Sequence, residues 1–248
     1  MLLTIDIGNT DIVSVLYNLN KEKIQSERIS LVNAKVREEV GYFRDLIKAW
    51  NIEDVDVIIS CVVPVLLEQV KLELSEYSKG KIIFLDKTIV SDFVGERKEV
   101  GADLIAVSYS YRNADRPTVI LDMGSATKII LVRNGLLESV SIMLGVKNNM
   151  LALASNIKHL PEVPLAFPER LLGQNTVDAI RAGIMYSQYY GLKGYVAAIQ
   201  EDLDQSSNKV LTGGIGAIFK DKLSDFDYID ELVNLGLLEI YLTELLHD

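Results

Sequence analysis

The chain is poor in several things, and each shortage excludes something. Cys61 is its single cysteine, so no intrachain disulfide can form, in keeping with a reducing compartment. Basic residues are outnumbered, 25 against 35 acidic ones, for a formal charge of −10. Such a surface repels phosphate backbones, and no basic cluster carries interleaved aromatics, which argues against nucleic acid as a partner. No apolar run reaches the length of a membrane span. The first residues run straight into a strand-like Leu2-Leu3-Thr4-Ile5, with no basic leader or cleavage site, and the cytoplasm is the expected location. Low-complexity segments and obvious flexible linkers are missing too.

What is present suffices for a folded enzyme. Hydrophobic residues make up 49% of the 248 and charged ones 24%, enough for one large domain or two ordinary ones. An acidic protein still accommodates ATP, because a metal ion and a few backbone N–H groups set the local field at the phosphates.

The order of patterns points to a duplication. Leu2–Ile7 reads as a buried strand and Ile12–Tyr17 as its partner, joined by the polar turn Gly8-Asn9-Thr10. Apolar spacing predicts helices over 36–50 and 65–77, with strands at 55–59 and 81–85. After Arg116-Pro117 the theme returns: strand 118–121, the turn after Asp122-Met123-Gly124-Ser125-Ala126-Thr127, strand 129–132, and a turn at Asn134-Gly135. Ile5-Asp6-Ile7-Gly8-Asn9-Thr10 aligns with Leu121-Asp122-Met123-Gly124-Ser125-Ala126 about half a chain later. Helices are expected over 146–157 and 176–199, the latter open to interruption at Gly191 and Gly194. A proline-rich connection spans 161–168, a strand leads into Thr212-Gly213-Gly214, and a helix closes the chain over 229–246.

The turns suggest chemistry. A turn that lets a phosphate approach the backbone needs glycine, since a side chain would block the way. Asp6 and Asp122 cannot touch phosphate favourably; they suit a cation instead, Mg²⁺ or a monovalent ion. Thr212-Gly213-Gly214 leaves room for an adenine ring against the backbone. Phosphoryl transfer then needs a carboxylate to take the acceptor's proton. Glu99-Val100-Gly101-Ala102-Asp103 offers Asp103 for this, or as a helix cap. Thr176 reads first as a cap for the helix it precedes, otherwise as a substrate contact. Cys61 reads as a small packing residue, and His159, with no metal-ligating neighbour in view, as structural.

Taken together these stretches resemble the type III pantothenate kinases of the actin, sugar kinase and Hsp70 superfamily. The resemblance rests on 6–10, Ser60-Cys61-Val62-Val63-Pro64, 99–103, 122–127, Leu160-Pro161, Gly173-Gln174-Asn175-Thr176 and 212–214, in the family's order across nearly the whole chain. It implies an α/β fold of two ribonuclease H-like (actin-like ATPase) domains, 1–115 and 116–248, with an interdomain cleft. It implies ATP-dependent phosphorylation of pantothenate in coenzyme A biosynthesis, by a homodimer. It assigns Asp6, Ile7, Gly8, Asn9, Thr10, Asp11, Ile12 and Val13 to the nucleotide phosphates, with Gly124, Ser125, Thr127, Gly213 and Gly214 from the second half. Asp103 becomes the base, Gly101, Ala102, Leu104 and Thr176 its companions around the substrate. Asp6 is matched to Mg²⁺ and Asp122 to a monovalent cation, K⁺ or NH₄⁺.

The departures fall mainly on the acceptor side. Leu104 stands where the family has arginine, Val94 near an expected tyrosine, and Ser141-Ile142-Met143-Leu144-Gly145 where a Gly-Gly…Pro-Gly segment is expected. Losing one charged hydrogen bond to substrate costs about 1.5–3 kcal/mol. Asp11 replaces an asparagine and Lys128 a threonine. Asp11 adds repulsion of about 3 kcal/mol at ~5 Å and an effective dielectric near 20, which Lys128 is placed to offset. A kinase of another small hydroxyl acceptor and a non-catalytic nucleotide-binding homologue are the competing readings.

Overall fold

The apolar runs around the two glycine turns form two sheets of one design. In the computed structural model, which describes residues 1–31, 41–157 and 163–246, β1 (Leu2–Ile7) pairs antiparallel with β2 (Asp11–Tyr17), and β2 with β3 (Lys23–Ser30). After α1 (Tyr42–Trp50), β4 (Asp56–Cys61) runs parallel to β1. Helix α2 (Pro64–Tyr77) then carries the chain to β5 (Ile82–Phe84), and α3 (Ser91–Val94) and α4 (Ala102–Tyr109) follow. The sheet order is β3-β2-β1-β4-β5. Alternation puts Leu3, Ile5 and Ile7 on one face, where they meet Phe43, Leu46 and Ile47 of α1 and Leu66, Val70 and Leu74 of α2.

The second sheet repeats the plan. Strands β6 (Thr118–Met123), β7 (Ala126–Arg133) and β8 (Leu136–Leu144) form the antiparallel set. Helices α5 (Val146–Asn156) and α6 (Thr176–Asp202) lead to β9 (Asn208–Thr212), parallel to β6. A short α7 (Gly216–Phe219) precedes β10 (Asp227–Tyr228), and the order is β10-β9-β6-β7-β8. Read from β8 this is the order of the first sheet, so the sequence repeat is a repeat of topology. Asn134 and Gly135 join β7 to β8 with φ of 55° and 74°, the left-handed pair a tight hairpin requires. Helix α6 runs unbroken through Gly191 and Gly194, contrary to the expected interruption. A helical glycine costs roughly 1 kcal/mol, and burial of Ile184, Met185, Leu192 and Val196 outweighs it.

The chain forms two compact units, one of Met1–Ser110 with Glu231–Asp248, the other of Tyr111–Asp230. The expected boundary at 115/116 left the C-terminal helix in the second domain; instead α8 (Leu232–Ile240) and the π-helical turn Tyr241–Leu245 belong to the first. Buried Asn234 is the reason. Its Nδ2 donates to the Thr4 carbonyl, the Thr4 hydroxyl and the Val13 carbonyl at 3.1–3.2 Å, which fastens α8 to β1 and β2. Tyr241 Oη adds a bond to Asp56 Oδ2 at 2.6 Å, and Tyr109 donates to Glu244. The first part of the helix expected over 36–50, and Lys158, His159, Leu160 and Pro161, lie outside the described residues. Among the described residues no helix is long and apolar enough to cross a membrane.

Candidate active site

In the first unit the candidate residues gather at the carboxyl ends of the parallel strands β1 and β4, the usual place for a ligand in such sheets. Strand register sets Asp6 beside Ser60 and Ile7 beside Cys61. Ser60 Oγ is buried and has no hydrogen-bond partner among the described residues, an orphan donor that a ligand or water would satisfy. The turn is closed by Gly8 N–H donating to the Asp11 carbonyl at 3.0 Å. Contact with phosphate therefore falls to the turn beyond Gly8, where Asn9 is exposed. Ile7 and Ile12 pair and point into the core, both fully buried, so of these two only the backbone can meet a ligand.

Asp103 reaches the same end of the sheet through a short relay. Val62 N–H donates to the Ile7 carbonyl at 3.1 Å, and a Cβ on Gly101 would lie 3.8 Å from Val62 Cγ1. Gly101 is the residue preceding α4, and Asp103 sits in its first turn with Oδ1 accepting Leu104 N–H at 2.7 Å. Glycine holds the cap position itself, so Asp103 braces the first turn from within the helix and is not its cap residue. Ala102 is half-buried, while Leu104 is only 8% exposed and turned into the unit.

Two charges behave differently from expectation. Asp11 meets Arg28 Nη1 of β3 at 3.7 Å, an exposed pair worth less than about 1 kcal/mol. Lys128 binds Asp122 within its own hairpin. The β6–β7 register places the two opposite each other, Nζ lies 2.8 Å from Oδ2, and the side chains are 16% and 12% exposed. Arg28 was the residue missed, because nothing in an exposed polar stretch marks it as a strand partner.

Cys61 reports on this neighbourhood. Burial pushes its thiol above the ordinary value, its bond at Val63 pulls part of the way back, and the Asp6 carboxylate adds the smallest share to the rise. A raised pKa means less thiolate near neutrality. Alkylation by iodoacetamide at pH 7.5 is therefore expected to run slower than for free cysteine, and Asp6→Asn to accelerate it. An unchanged rate in that variant, followed by mass spectrometry, would place Asp6 away from the thiol.

In the second unit the β6–β7 turn is braced from three sides. Gly124 N–H closes it on the Ala126 carbonyl at 3.0 Å. The Ser125 carbonyl accepts Gly145 N–H at 3.2 Å and Asn148 Nδ2 at 2.8 Å, which brings the amino end of α5 against the turn. Ile215 N–H donates to the Met123 carbonyl at 3.0 Å. Gly213 lies alongside at φ 88°, where a Cβ would come 2.4 Å from that carbonyl, so only glycine fits. Gly214 follows, exposed. The turn thus lies beside a helix amino terminus, a favourable setting for an anion. Thr127 Oγ1 is buried without a hydrogen-bond partner among the described residues. It faces the core side with Met123, whereas Asp122 and Lys128 share the opposite face. Asn148 was not anticipated, since an asparagine early in a helix carries no signal of its own.

Thr176 is exposed at the start of α6 and does not cap it. Asn175 does, its side chain accepting Asp178 N–H at 2.9 Å, which corrects the first reading of Thr176 and leaves that hydroxyl uncommitted to the cap.

Comparison with known proteins follows this geometry. The family model for type III pantothenate kinases matches residues 2–198. A type III pantothenate kinase of Acholeplasma laidlawii is 30% identical over 97% of this chain and 98% of its own length. One of Mycoplasma mobile is 34% identical over 75% of this chain and 76% of its own. Among solved structures, a Campylobacter jejuni protein assigned to the Baf family of transcriptional activators superposes with a TM-score of 0.61 at 19% identity, covering 96% of each chain. A Sinorhizobium meliloti protein assigned as a 2-dehydro-3-deoxygalactonokinase gives 0.62 at 12%, covering 97% of this chain and 95% of its own. At those identities the likeness is one of fold, an α/β fold with two mixed five-stranded sheets. With its motifs in order and its match running through most of the sequence, the chain belongs to the type III pantothenate kinase family.

Proposed function

We propose that this protein is an ATP-dependent pantothenate kinase, forming 4′-phosphopantothenate in coenzyme A biosynthesis. Family membership supports the activity, and one observation carries it for this chain: Asp103 stands at the amino end of α4, linked through Gly101 and Val62 to the end of β1. In this reading the Asp103 carboxylate takes the proton of the acceptor hydroxyl as its oxygen bonds to the γ-phosphorus. The bond from that phosphorus to the bridging oxygen breaks, and ADP leaves.

The 8–13 segment of the first unit and the 124–127 turn of the second each serve phosphate in this reading, and Gly213-Gly214 leaves room for an adenine ring. Gly101 and Ala102 keep the approach to Asp103 narrow in bulk, Leu104 backs it from within, and Thr176 contacts the acceptor. Asp6 with the unsatisfied Ser60 hydroxyl fits Mg²⁺, which binds through one or two carboxylates together with phosphate and water. Among the described residues no three metal-ligating side chains converge, which suits an ion carried largely by its nucleotide. When bound, Mg²⁺ supplies charge neutralisation at the phosphates.

The working form in this reading is a cytoplasmic homodimer. Support comes from β8, an edge strand that exposes Val140, Ile142 and Leu144 on one face, apolar area that a second copy would cover.

Purified protein with ATP, Mg²⁺ and pantothenate is expected to release ADP and 4′-phosphopantothenate, identified by mass. Turnover of another hydroxy acid in preference to pantothenate would replace the acceptor. No turnover with any acceptor would end the kinase reading.

A further inference from the structure

The Lys128–Asp122 pair does not leave Asp122 as the family resemblance would have it. That resemblance matches Asp122 to a monovalent cation, yet its Oδ2 already accepts from Lys128 Nζ at 2.8 Å. The arrangement is fixed by the sheet rather than by a wandering side chain. Asp122 and Lys128 are direct cross-strand partners in the β6–β7 hairpin, two residues from the turn on one strand and one from it on the other. Both side chains are largely desolvated, 12% and 16% exposed. At that depth each charge needs the other, because an unpaired buried ion is strongly disfavoured. A potassium or ammonium ion would have to displace the lysine or settle beside it against like-charge repulsion. The residues present therefore do not fit a bound monovalent cation.

We infer that Lys128 supplies from within the chain the positive charge a monovalent cation would bring to Asp122, so that this protein works without potassium or ammonium. An alkylammonium head resembles those ions in charge and in preferring oxygen partners, and it offers several N–H donors. It is tethered, so it pays no association cost at each turnover. The inference rests on the reading that the β6–β7 turn serves the polyphosphate.

The test has two readouts. Initial rates with saturating ATP, Mg²⁺ and pantothenate are measured in potassium, ammonium, sodium or choline chloride at one ionic strength. In parallel, the midpoint of thermal unfolding is measured with ADP and Mg²⁺ in the same salts, which needs no turnover. The native protein is expected to vary by less than about twofold in rate and to show no potassium-specific midpoint. Lys128→Thr empties the position. It is expected to lose activity in choline and to regain about tenfold or more with potassium, the size of one charge-assisted hydrogen bond, with a midpoint that rises in potassium. Lys128→Arg keeps a cation and is expected to stay insensitive, which a merely structural lysine would not dictate. Should Lys128→Thr not fold, Lys128→Gln takes its place. Potassium stimulation of the native protein in either readout, or a folded neutral variant indifferent to potassium in both, would overturn the inference. Absent turnover with a cation-indifferent native midpoint and a potassium-responsive neutral variant would instead fault the pantothenate reading and leave this one standing.

Discussion

Asp103→Asn is expected to leave a folded protein that binds ATP as before and turns over about 10² to 10⁴ times more slowly, the usual worth of a positioned base. The substitution is nearly isosteric, and an asparagine oxygen can still accept the Leu104 N–H that Oδ1 accepts now. Neighbouring Leu104, Ile105 and Ala106 are buried and untouched, so stability should change by no more than about 0.5 kcal/mol. The loss belongs in kcat, since the carboxylate acts on the hydroxyl proton during transfer and contributes little to holding ATP. Stopped assays for rate, calorimetry for ATP and a urea transition for fold separate the three quantities. A variant retaining more than a tenth of native kcat would assign the proton to another group and remove Asp103 from its role.

What could be read in the chain, and what could not, divides along the range of the interactions involved. The two hairpins were legible because each is local: an apolar run, a glycine-bearing polar turn, and a second apolar run within about twenty residues. Their kinship was legible because both put Asp, an apolar residue and Gly at the same place, and the sheet orders confirm one plan used twice. Strand β3 was not legible. Its sequence, Lys23–Ser30, is exposed for most of its length and shows no clear alternation, so backbone pairing with β2 alone makes it a strand. The fate of the C-terminal helix was hidden for a different reason. Asn234 finds Thr4 across 230 positions, and no local pattern encodes that meeting. At the site, residue types were visible while pairings were not. Lys128 stood out as a charge near the second turn, yet its partner Asp122 is set by cross-strand register, which no local pattern spells out. At α6, threonine and asparagine are both good caps, and the phase of the first helical turn chose Asn175.

Gly236→Ala should be the most damaging small change in the first unit. Helix α8 crosses α4 so closely there that an added Cβ would lie 1.7 Å from the Ala106 carbonyl oxygen and 2.5 Å from its carbon. Both atoms are backbone within a helix, so no rotamer change relieves the clash; the two helices must part. Forcing volume into such a contact costs typically 1–3 kcal/mol and at times more, and this contact warrants at least about 3. The lost packing on either side adds to that, since Leu237, Leu238 and Ala106 are fully buried. Function should fall beyond what unfolding explains, because α4 bears Asp103 in its first turn, and a shift of about 1 Å in a reacting group can cost ~10²-fold in rate. Gly183→Ala in α6 is the matched control. Its Cβ would meet nothing within 4 Å, so the same substitution there should stabilise by up to about 1 kcal/mol through helix propensity. Urea transitions of the two variants, with kcat measured on the folded fraction, decide the matter. If Gly236→Ala unfolds with the native protein, α4 and α8 are not in backbone contact, and the path that carries Asp103 to the end of β1 loses its outer support.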